Sequence, residues 1–469
     1  MKSTWPALVL ALCACPTKQV FPALVTRPTA PPPVTIFHDV RVFPATSRQA
    51  LEHQDVVVRG GLIESLAPTG SPLPEGVVIE GAGRTLLPGY VDFHVHLTGT
   101  PAPPWRVTWP DADHNGQALL AAGVTSAQDV GGELDELLEL RRRAASGSWL
   151  GPDFTFAGPI ITAKDSYPAS MVRTLFPWPV NRLVESRFAE QIRTEAEGQH
   201  AVDTRVMAGA HHVKVAIAQV PLDAPVYTPE LLASVARAAH ARGVKVVAHA
   251  DSAEHAMTAA RAGVDALMHG IHLGALSPAD AAELQARHVV VAPTLVVWDR
   301  IEQLAEFRFA PTDVERGLEP ADALAPFSPE VARQQSMPQP LMDFIHRLQH
   351  DKPQRLEAVR RLVEAGVTIA VGSDASGSIG CLPGGAFLDE MKLLHEAGVP
   401  TADILLGATS VPAKFMAGPD ASFGTIEPGK RADLVLLDGN PLEDVAATSR
   451  LVLVMQRGVA LDRHPLPRH

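Results

Sequence analysis

The distribution of hydrophobic and polar positions divides the chain into three parts. Residues 34–88 contain short β-rich runs broken by turn residues, for example VTIFHDVRVF and DVVVRGGLIESLAP. From Gly89 to about Ser410, apolar β-branched runs alternate with Ala- and Leu-rich segments of helical character. This alternation is typical of a parallel α/β barrel or a layered α/β sheet. β-rich runs return after Gly424, so we predict that the two ends pair into one small β-domain.

The middle part contains eight apolar runs, the number of strands in a TIM-type barrel. They are YVDFHVHL (90–97), VTSAQDV (124–130), FTFAGPIIT (154–162), HVKVAIA (212–218), VKVVAHA (244–250), ALMHG (266–270), VVVAPTL (289–295) and VTIAVGSDA (367–375). Several follow a segment ending in Ala-Gly or Arg-Gly, where the glycine suits a helix C-cap. We therefore predict an α/β fold with a (β/α)8 TIM-type barrel over residues 89–415. Residues 34–88 and 416–469 are predicted to form a small β-sandwich domain beside it.

The first 33 residues differ from this pattern. MKSTWPALVLALCAC has one Lys and an apolar stretch too short to span a membrane, and it resembles a bacterial lipoprotein signal peptide. That resemblance implies a cleaved leader at residues 1–14, lipid on Cys15 and a proline-rich tether at residues 15–33. The protein would then be exported to the bacterial cell envelope and reach the membrane by its lipid anchor only. An ordinary secretory leader or an untargeted N-terminus is the alternative.

Composition and charge narrow the classes of partner. The 469 residues are 46% hydrophobic and 20% charged, which allows a large buried core. The formal net charge is −12, from 40 basic and 52 acidic residues, and the one basic run we find is Arg141 to Arg143. This argues against nucleic acid as a partner. If Cys13 leaves with the leader and Cys15 is acylated, Cys381 is the only remaining thiol. A disulfide within the mature chain is then impossible, because it needs two thiols.

Candidate metal ligands occur at the ends of the predicted strands. His94 and His96 lie on the same face of an extended run, but a chain with 19 His contains about one such pair by chance. In barrel enzymes the reactive groups lie at the carboxyl ends of the strands. The metal-capable residues at those ends are His94, His96, Lys214, His249, His269 and Asp374. This set is far more specific than the His pair alone.

With these residues in place, the chain resembles the amidohydrolase superfamily, and within it the imidazolonepropionase-like or prolidase-like metal-dependent hydrolases. The matching stretches are LLPGYVDFHVHL, HHVKVAI, VVAHADSAEHAMTAARAGVDALMHG, VGSDA and GTIEPGKRADLVLLDGNPLEDV. The resemblance implies two divalent metal ions. Imidazole and carboxylate ligands favour zinc and also admit manganese, cobalt or iron. His94, His96 and Asp374 would hold one ion and His249 and His269 the other. Lys214, carboxylated by carbon dioxide, would bridge them.

Elementary chemistry agrees with these roles. Burial favours the neutral amine of Lys214, which is the form that adds carbon dioxide. A metal-bound hydroxide can attack a carbonyl at neutral pH, and Asp374 can act first as general base and then as general acid. We therefore predict hydrolysis of an amide bond in a small-molecule or short-peptide substrate, as in a dipeptidase, a carboxypeptidase-like enzyme or an N-acyl amino acid hydrolase. One alternative is a mononuclear deaminase or cyclic amide hydrolase, and another is an inactive lipid-anchored binding protein. The sequence leaves open whether the protein forms a homo-oligomer.

Substrate contacts are less well specified. Tyr227 matches a family segment in which a Tyr faces the substrate, and Tyr167 follows the third run, where ITAKDSYP lacks the Gly-Gly-His of some relatives. The remaining histidines fit packing or surface positions, with His272 the least certain because it closely follows His269. Residues 299–350 are a long insertion that could wall the site.

Overall fold

The computed structural model describes residues 21–466 except 104, 107 and 177. The predicted leader and Cys15 lie outside the described residues. The terminal segments form one sheet. Its strands are β2 (Val34–Val42), β3 (Leu51–Arg59), β4 (Leu62–Pro68), β5 (Val77–Glu80), β6 (Arg84–Pro88), β16 (Leu434–Asp438), β17 (Leu451–Gln456) and β18 (Val459–Ala460). Their spatial order is β18-β17-β16-β6-β2-β3-β4, with β5 also paired to β2. The predicted pairing of the two ends is therefore present, through the antiparallel contact of β6 with β16.

Parallel strands form the middle of the chain. Strands β7 (Tyr90–Val95), β8 (Val124–Asp129) and β9 (Asp153–Phe156) make one sheet. A second sheet has the order β11-β10-β12-β13-β14-β15. Its strands are β10 (Ile160–Ala163), β11 (Ala189–Ile192), β12 (His212–Ile217), β13 (Lys245–Ala250), β14 (Ala266–Met268) and β15 (Val290–Ala292). The α/β class with parallel sheets is thereby confirmed.

The eighth run, residues 367–375, joins both sheets by backbone hydrogen bonds although it is not a continuous strand. Parallel bridges pair Val291 with Ile369 and Val95 with Ala375. The Asp374 N–H donates to the carbonyl of His94 at 2.7 Å. These bonds bring the end of the eighth run beside the end of the first.

Helices alternate with the strands. They are α1 (Ala112–Ala121), α2 (Leu134–Ser146), α3 (Ala169–Leu175), α4 (Val180–Phe188), α5 (Glu195–Met207), α6 (Pro229–His240), α7 (Ala253–Ala262), α8 (Pro278–Ala286), α9 (Leu295–Ala305), α10 (Asp313–Leu318), α11 (Ala321–Leu324), α12 (Pro329–Ala332), α13 (Gln339–Glu364), α14 (Gly385–Glu396), α15 (Thr401–Gly407) and α16 (Ser410–Ala417). In α6 the buried residues Leu232, Val235, Ala236 and Ala239 follow helical spacing. Helices α9 to α13 account for the predicted insertion. None of the helices in the described ranges is long and apolar enough to cross a membrane.

Two details differ from the predicted strands. The run FTFAGPIIT is two strands, β9 and β10, because Pro159 offers no N–H to a ladder and Gly158 turns the backbone with φ of 76°. Strand β11 was not among the predicted runs, and it pairs with β10 at the edge of the sheet.

The described part of the predicted tether, residues 21–33, is attached to the fold. Strand β1 (Val25–Thr26) pairs antiparallel with β19 (Asp462–Arg463), and Leu24 and Val25 are 1% exposed. The Phe21 ring stacks on His114 with a centroid distance of 3.8 Å. Leu24 and Val25 thus pack against the fold, whereas Ala23 and Thr26 are exposed. The assignment of residues 15–33 as a tether stays a prediction.

Candidate metal centre

Five of the six predicted ligands lie at or just beyond the carboxyl ends of parallel strands or of the eighth run, and Lys214 lies in the middle of its strand. His94 lies on β7 and His96 directly after it, Lys214 lies on β12 and His249 on β13. His269 follows β14. Asp374 lies near the end of the eighth run, beside His94. Every one except His96 is buried, and Lys214 is only 1% exposed.

The structure brings five of these side chains into mutual contact. Asp374 Oδ1 lies 3.2 Å from His94 Nε2 and 3.1 Å from His96 Nε2. The His269 ring lies 4.6 Å from the His94 ring and 4.2 Å from the His249 ring, between centroids. Potential ligand atoms of His94, His269 and Asp374 all lie within 4.8 Å of one another. The sixth, Lys214, is near enough for its charge to lower the pKa of His94 and His249, although burial lowers both more.

Several of these buried polar atoms have no hydrogen-bond partner among the described residues. They are both ring nitrogens of His94, Nζ of Lys214 and Oδ1 of Asp374. The contacts of Asp374 Oδ1 with the imidazoles lack hydrogen-bond geometry. Leaving a buried polar group unpaired costs about 1–3 kcal/mol. Imidazole nitrogens with a carboxylate oxygen are a donor set that divalent zinc accepts. The residues present therefore fit a divalent metal.

Burial favours the metal-binding protonation states of His94 and Lys214. It lowers the pKa of His94 to about 3 and that of Lys214 to about 7, so both neutral forms are accessible at neutral pH. Burial alone would raise the pKa of Asp374, but the adjacent His94 and His96 hold it well below its usual range. Neutral imidazoles and an ionised carboxylate are the forms that bind metals.

Neighbouring groups orient the imidazoles. His96 Nδ1 lies 2.6 Å from the carbonyl oxygen of Gly131, and His269 Nδ1 lies 2.9 Å from Thr294 Oγ1. With Nδ1 so engaged, Nε2 of each ring is the atom left to bind a metal. Thr294 was not singled out from the sequence, where nothing distinguishes it from any other strand-end threonine.

The backbone is left-handed at both His269 and Asp374, with φ of 74° and 55°. Non-glycine residues seldom adopt this region, and such residues cluster at functional sites. No spacing rule in the sequence identified this feature. The left-handed backbone changes the direction of the chain at His269 and at Asp374, just where the extended run before each residue ends.

The two predicted substrate residues occupy different surroundings. The Tyr167 ring lies 4.6 Å from the His249 ring, at the edge of the metal-ligand cluster. Tyr227 is 3% exposed within the main hydrophobic core, and its hydroxyl has no hydrogen-bond partner among the described residues. Their contact with substrate stays a prediction.

Comparison with known proteins decides the family. The model of the amidohydrolase family matches residues 85–461. The chain belongs to the amidohydrolase family. The resemblance seen in the sequence motifs is thereby confirmed.

Individual relatives of this amidohydrolase support the same conclusion. It is 25% identical to the imidazolonepropionase of Salinispora arenicola over 427 residues, covering 88% of this chain and 90% of that protein. It is 34% identical to the ochratoxinase of Aspergillus niger over 100 residues, which is 21% of this chain and 20% of the ochratoxinase. That match therefore spans about a fifth of the relative's length.

Solved structures show the fold. A Xaa-Pro dipeptidase with bound methionine in its active site superposes with a TM-score of 0.71 at 24% identity, covering 91% of this amidohydrolase and 99% of the dipeptidase. The crystal structure of the A. niger ochratoxinase has a TM-score of 0.68 at 20% identity, covering 92% and 96% of the two chains. These likenesses imply the TIM-type barrel fold for this amidohydrolase.

Proposed function

We propose that this amidohydrolase cleaves an amide bond of a dipeptide, a C-terminal residue or an N-acyl amino acid at a metal centre. The observation that carries the proposal is the convergence of His94, His269 and Asp374, with potential ligand atoms within 4.8 Å. The buried, unpartnered Nζ of Lys214 supports the binuclear form.

The proposed ligands divide between two ions. His94, His96 and Asp374 would hold one ion, His249 and His269 the other, and carboxylated Lys214 both. Two divalent ions there would acidify a water molecule and polarise the scissile carbonyl. Zinc is the expected metal, since nitrogen and carboxylate donors suit it.

The chain's own residues handle the protons. The neutral Lys214 amine, favoured because burial lowers its pKa to about 7, can add carbon dioxide with loss of one proton, leaving an anionic carbamate. Asp374, held ionised by His94 and His96, would accept the proton of the attacking water at Oδ1 or Oδ2 and pass it to the leaving nitrogen. Burial around Asp374 limits access of bulk water to this transfer.

The finer architecture and location belong to the same proposal. We propose that the parallel strands close into an eight-stranded barrel and that the terminal segments fold as a β-sandwich. Export to the bacterial cell envelope with lipid on Cys15 is also proposed, on the composition of the N-terminus.

Metal content per chain tests the proposed centre. The purified full chain is loaded with zinc and bicarbonate and compared with Lys214→Met and with His200→Gln, which changes an exposed helical histidine. We expect about two ions per chain in the parent and the control, and fewer in Lys214→Met. One ion in all three would favour the mononuclear alternative, and none would leave an inactive binding protein.

Turnover tests the reaction. A panel of dipeptides and N-acyl amino acids should be hydrolysed by the parent, whereas Asp374→Asn should lose at least about 100-fold in kcat, within the range for loss of a general acid–base. Equal turnover by the variant would refute the role given to Asp374.

A further inference from the structure

A cluster of aromatic rings packs against one side of the proposed metal centre. The His272 ring stacks on Trp298 with centroids 3.7 Å apart and planes 20° apart. Trp298 in turn lies edge-on to His269, with centroids 5.6 Å apart. Phe344 of α13 lies edge-on to His272 at 6.5 Å. The cluster thus connects a proposed metal ligand to the helices of the insertion.

Both rings of the stack are held by the segments that hold His269. Leu273, next to His272, donates its N–H to the carbonyl of Asp251 at 2.9 Å, which fixes the loop after β14 against the end of β13. Trp298 lies in the first turn of α9, whose N-cap Thr294 contacts His269 Nδ1. The stack therefore has a fixed position relative to the proposed metal site.

The polar atoms of the stack have no hydrogen-bond partner among the described residues. Both ring nitrogens of His272 and Nε1 of Trp298 are in this state, although the two residues are 0% and 4% exposed. An imidazole carries at least one N–H donor in either protonation state, and the indole of Trp298 carries one. The indole N–H and an imidazole N–H are thus buried beside the proposed site without a side-chain acceptor, and the His269 backbone is the one uncharged group that raises the pKa of the His272 ring.

The charged neighbours of His272 are already engaged elsewhere. Asp251 accepts hydrogen bonds from His255 and from the Gln219 N–H, and Arg355 pairs with Glu302. Their charges act on His272 in opposite directions, and His255 adds a smaller effect in the same direction as Arg355. None of these side chains accepts the His272 or Trp298 N–H.

We propose that His272 and Trp298 form the subsite for the substrate residue next to the scissile amide, donating hydrogen bonds to an acceptor oxygen of that residue. Unsatisfied buried donors are costly in the free protein, and a bound oxygen would satisfy them. This subsite rests on the proposed amide hydrolysis and specifies its substrate class.

Binding of a free amino acid tests the subsite directly. The zinc-loaded full chain is titrated calorimetrically with L-phenylalanine and with L-phenylalaninamide, in the parent and in His272→Phe, Trp298→Phe and Phe344→Leu. His272→Phe keeps a stacking ring but removes both nitrogens, whereas Trp298→Phe removes the single indole N–H. Phe344→Leu is the packing control, because it contacts the same ring without a polar atom.

We expect His272→Phe to bind L-phenylalanine at least about 10-fold more weakly, Trp298→Phe about 3- to 10-fold more weakly and Phe344→Leu within about 3-fold of the parent. If the acceptor oxygen belongs to a carboxylate, the parent should bind L-phenylalaninamide at least about 10-fold more weakly than L-phenylalanine. Similar affinities for the two ligands would assign the acceptor as a carbonyl oxygen. With a hydrolysed dipeptide, His272→Phe should raise KM while kcat stays within about 3-fold.

Distinct results would overturn the subsite. They are unchanged affinity in both His272→Phe and Trp298→Phe, an equal loss in Phe344→Leu, or absence of amino acid binding to the zinc-loaded parent. Loss of zinc from His272→Phe, with Trp298→Phe at parental affinity, would instead make His272 a support for His269. If the parent binds metal and hydrolyses amides but the variants keep the parental KM, the subsite alone is refuted. If the parent shows neither metal binding nor turnover, the proposed function is refuted.

Discussion

The Asp92 carboxylate binds Ser373 through two hydrogen bonds. It accepts the Ser373 hydroxyl at 2.5 Å and the Ser373 N–H at 3.1 Å, and also the His94 N–H at 3.1 Å. Asp92 and Ser373 are 281 positions apart in the sequence. This buried carboxylate therefore fixes the register between the strand that carries His94 and the run that carries Asp374.

Replacing Asp92 should loosen both proposed ligands together. Asp92→Ala removes three hydrogen bonds and should lower the free energy of unfolding of the metal-free protein by about 2–4 kcal/mol. Ser373→Ala removes one of them and should cost about 1 kcal/mol. Urea unfolding measures both values, and zinc titration should show a 10- to 100-fold weaker site in Asp92→Ala. Equal losses in the two variants would contradict the register argument.

Gly377 leaves space that the proposed ligands need. A Cβ at this position would overlap the His96 ring and the Asp374 carboxylate. Gly377→Ala should therefore reduce zinc stoichiometry while the circular dichroism spectrum remains that of the parent. Gly317→Ala is the control, because its Cβ would meet its nearest neighbour at 3.7 Å. Full zinc content in Gly377→Ala would show that His96 and Asp374 do not bind the metal in the positions that the structure gives them.

Glu390 should make stability depend on pH. Burial raises its pKa from 4.5 to about 8, and its carboxyl accepts the Val296 N–H at 2.8 Å. Between these two values the folded state keeps a proton that the unfolded state releases, so this group lowers stability as pH rises from 4.5 to 8, and no further above 8.

Glu390→Gln removes this titration and keeps the acceptor oxygen. Measured by calorimetry at intervals from pH 5 to pH 9, the Tm of the parent relative to the variant should fall by at least about 2 °C up to pH 8 and then level off. A constant difference across this range would mean that Glu390 does not bind a proton in the folded state.

The N-terminal segment should contribute to stability through Leu24 and Val25. A chain that begins at Arg27 loses both buried side chains and the β1 pairing, and should unfold with a free energy about 3–6 kcal/mol lower. A chain that begins at Phe21 keeps these contacts and is the reference for the comparison. Denaturant unfolding of the two truncated chains separates these outcomes; identical curves would show that the buried segment adds no stability.

Most of the candidate ligands could be predicted because they lie late in runs with strand periodicity, whereas Lys214 lies in the middle of its run. Alternation places His94 and His96 on one face, and the barrel rule brings strand ends to one side of the sheet. Their convergence through Asp374 agrees with that reasoning. Their metal binding itself stays a prediction.

Other features depend on long-range packing that no local pattern encodes. Ser252 caps α7 by accepting the His255 N–H, while the neighbouring Asp251 carboxylate accepts hydrogen bonds from Gln219 and His255. The attached N-terminal segment escaped prediction because the prolines around it dominate the local pattern. The left-handed backbone at His269 and Asp374 is a conformation that the residue types there do not indicate.

The pairing of β6 with β16 has a consequence for synthesis of the chain. Pro88 pairs with Leu434, so the partner residue is made 434 minus 88, or 346 residues, later. At about 5–20 residues per second, the hydrogen-bonding edge of β6 waits roughly 20–70 s on the ribosome for its neighbour. An exposed strand edge is a template for association with other chains. During this interval the exposed edge of β6 can associate with other chains. Binding of a chaperone, or slow release of the N-terminal half from the ribosome, would favour folding over aggregation.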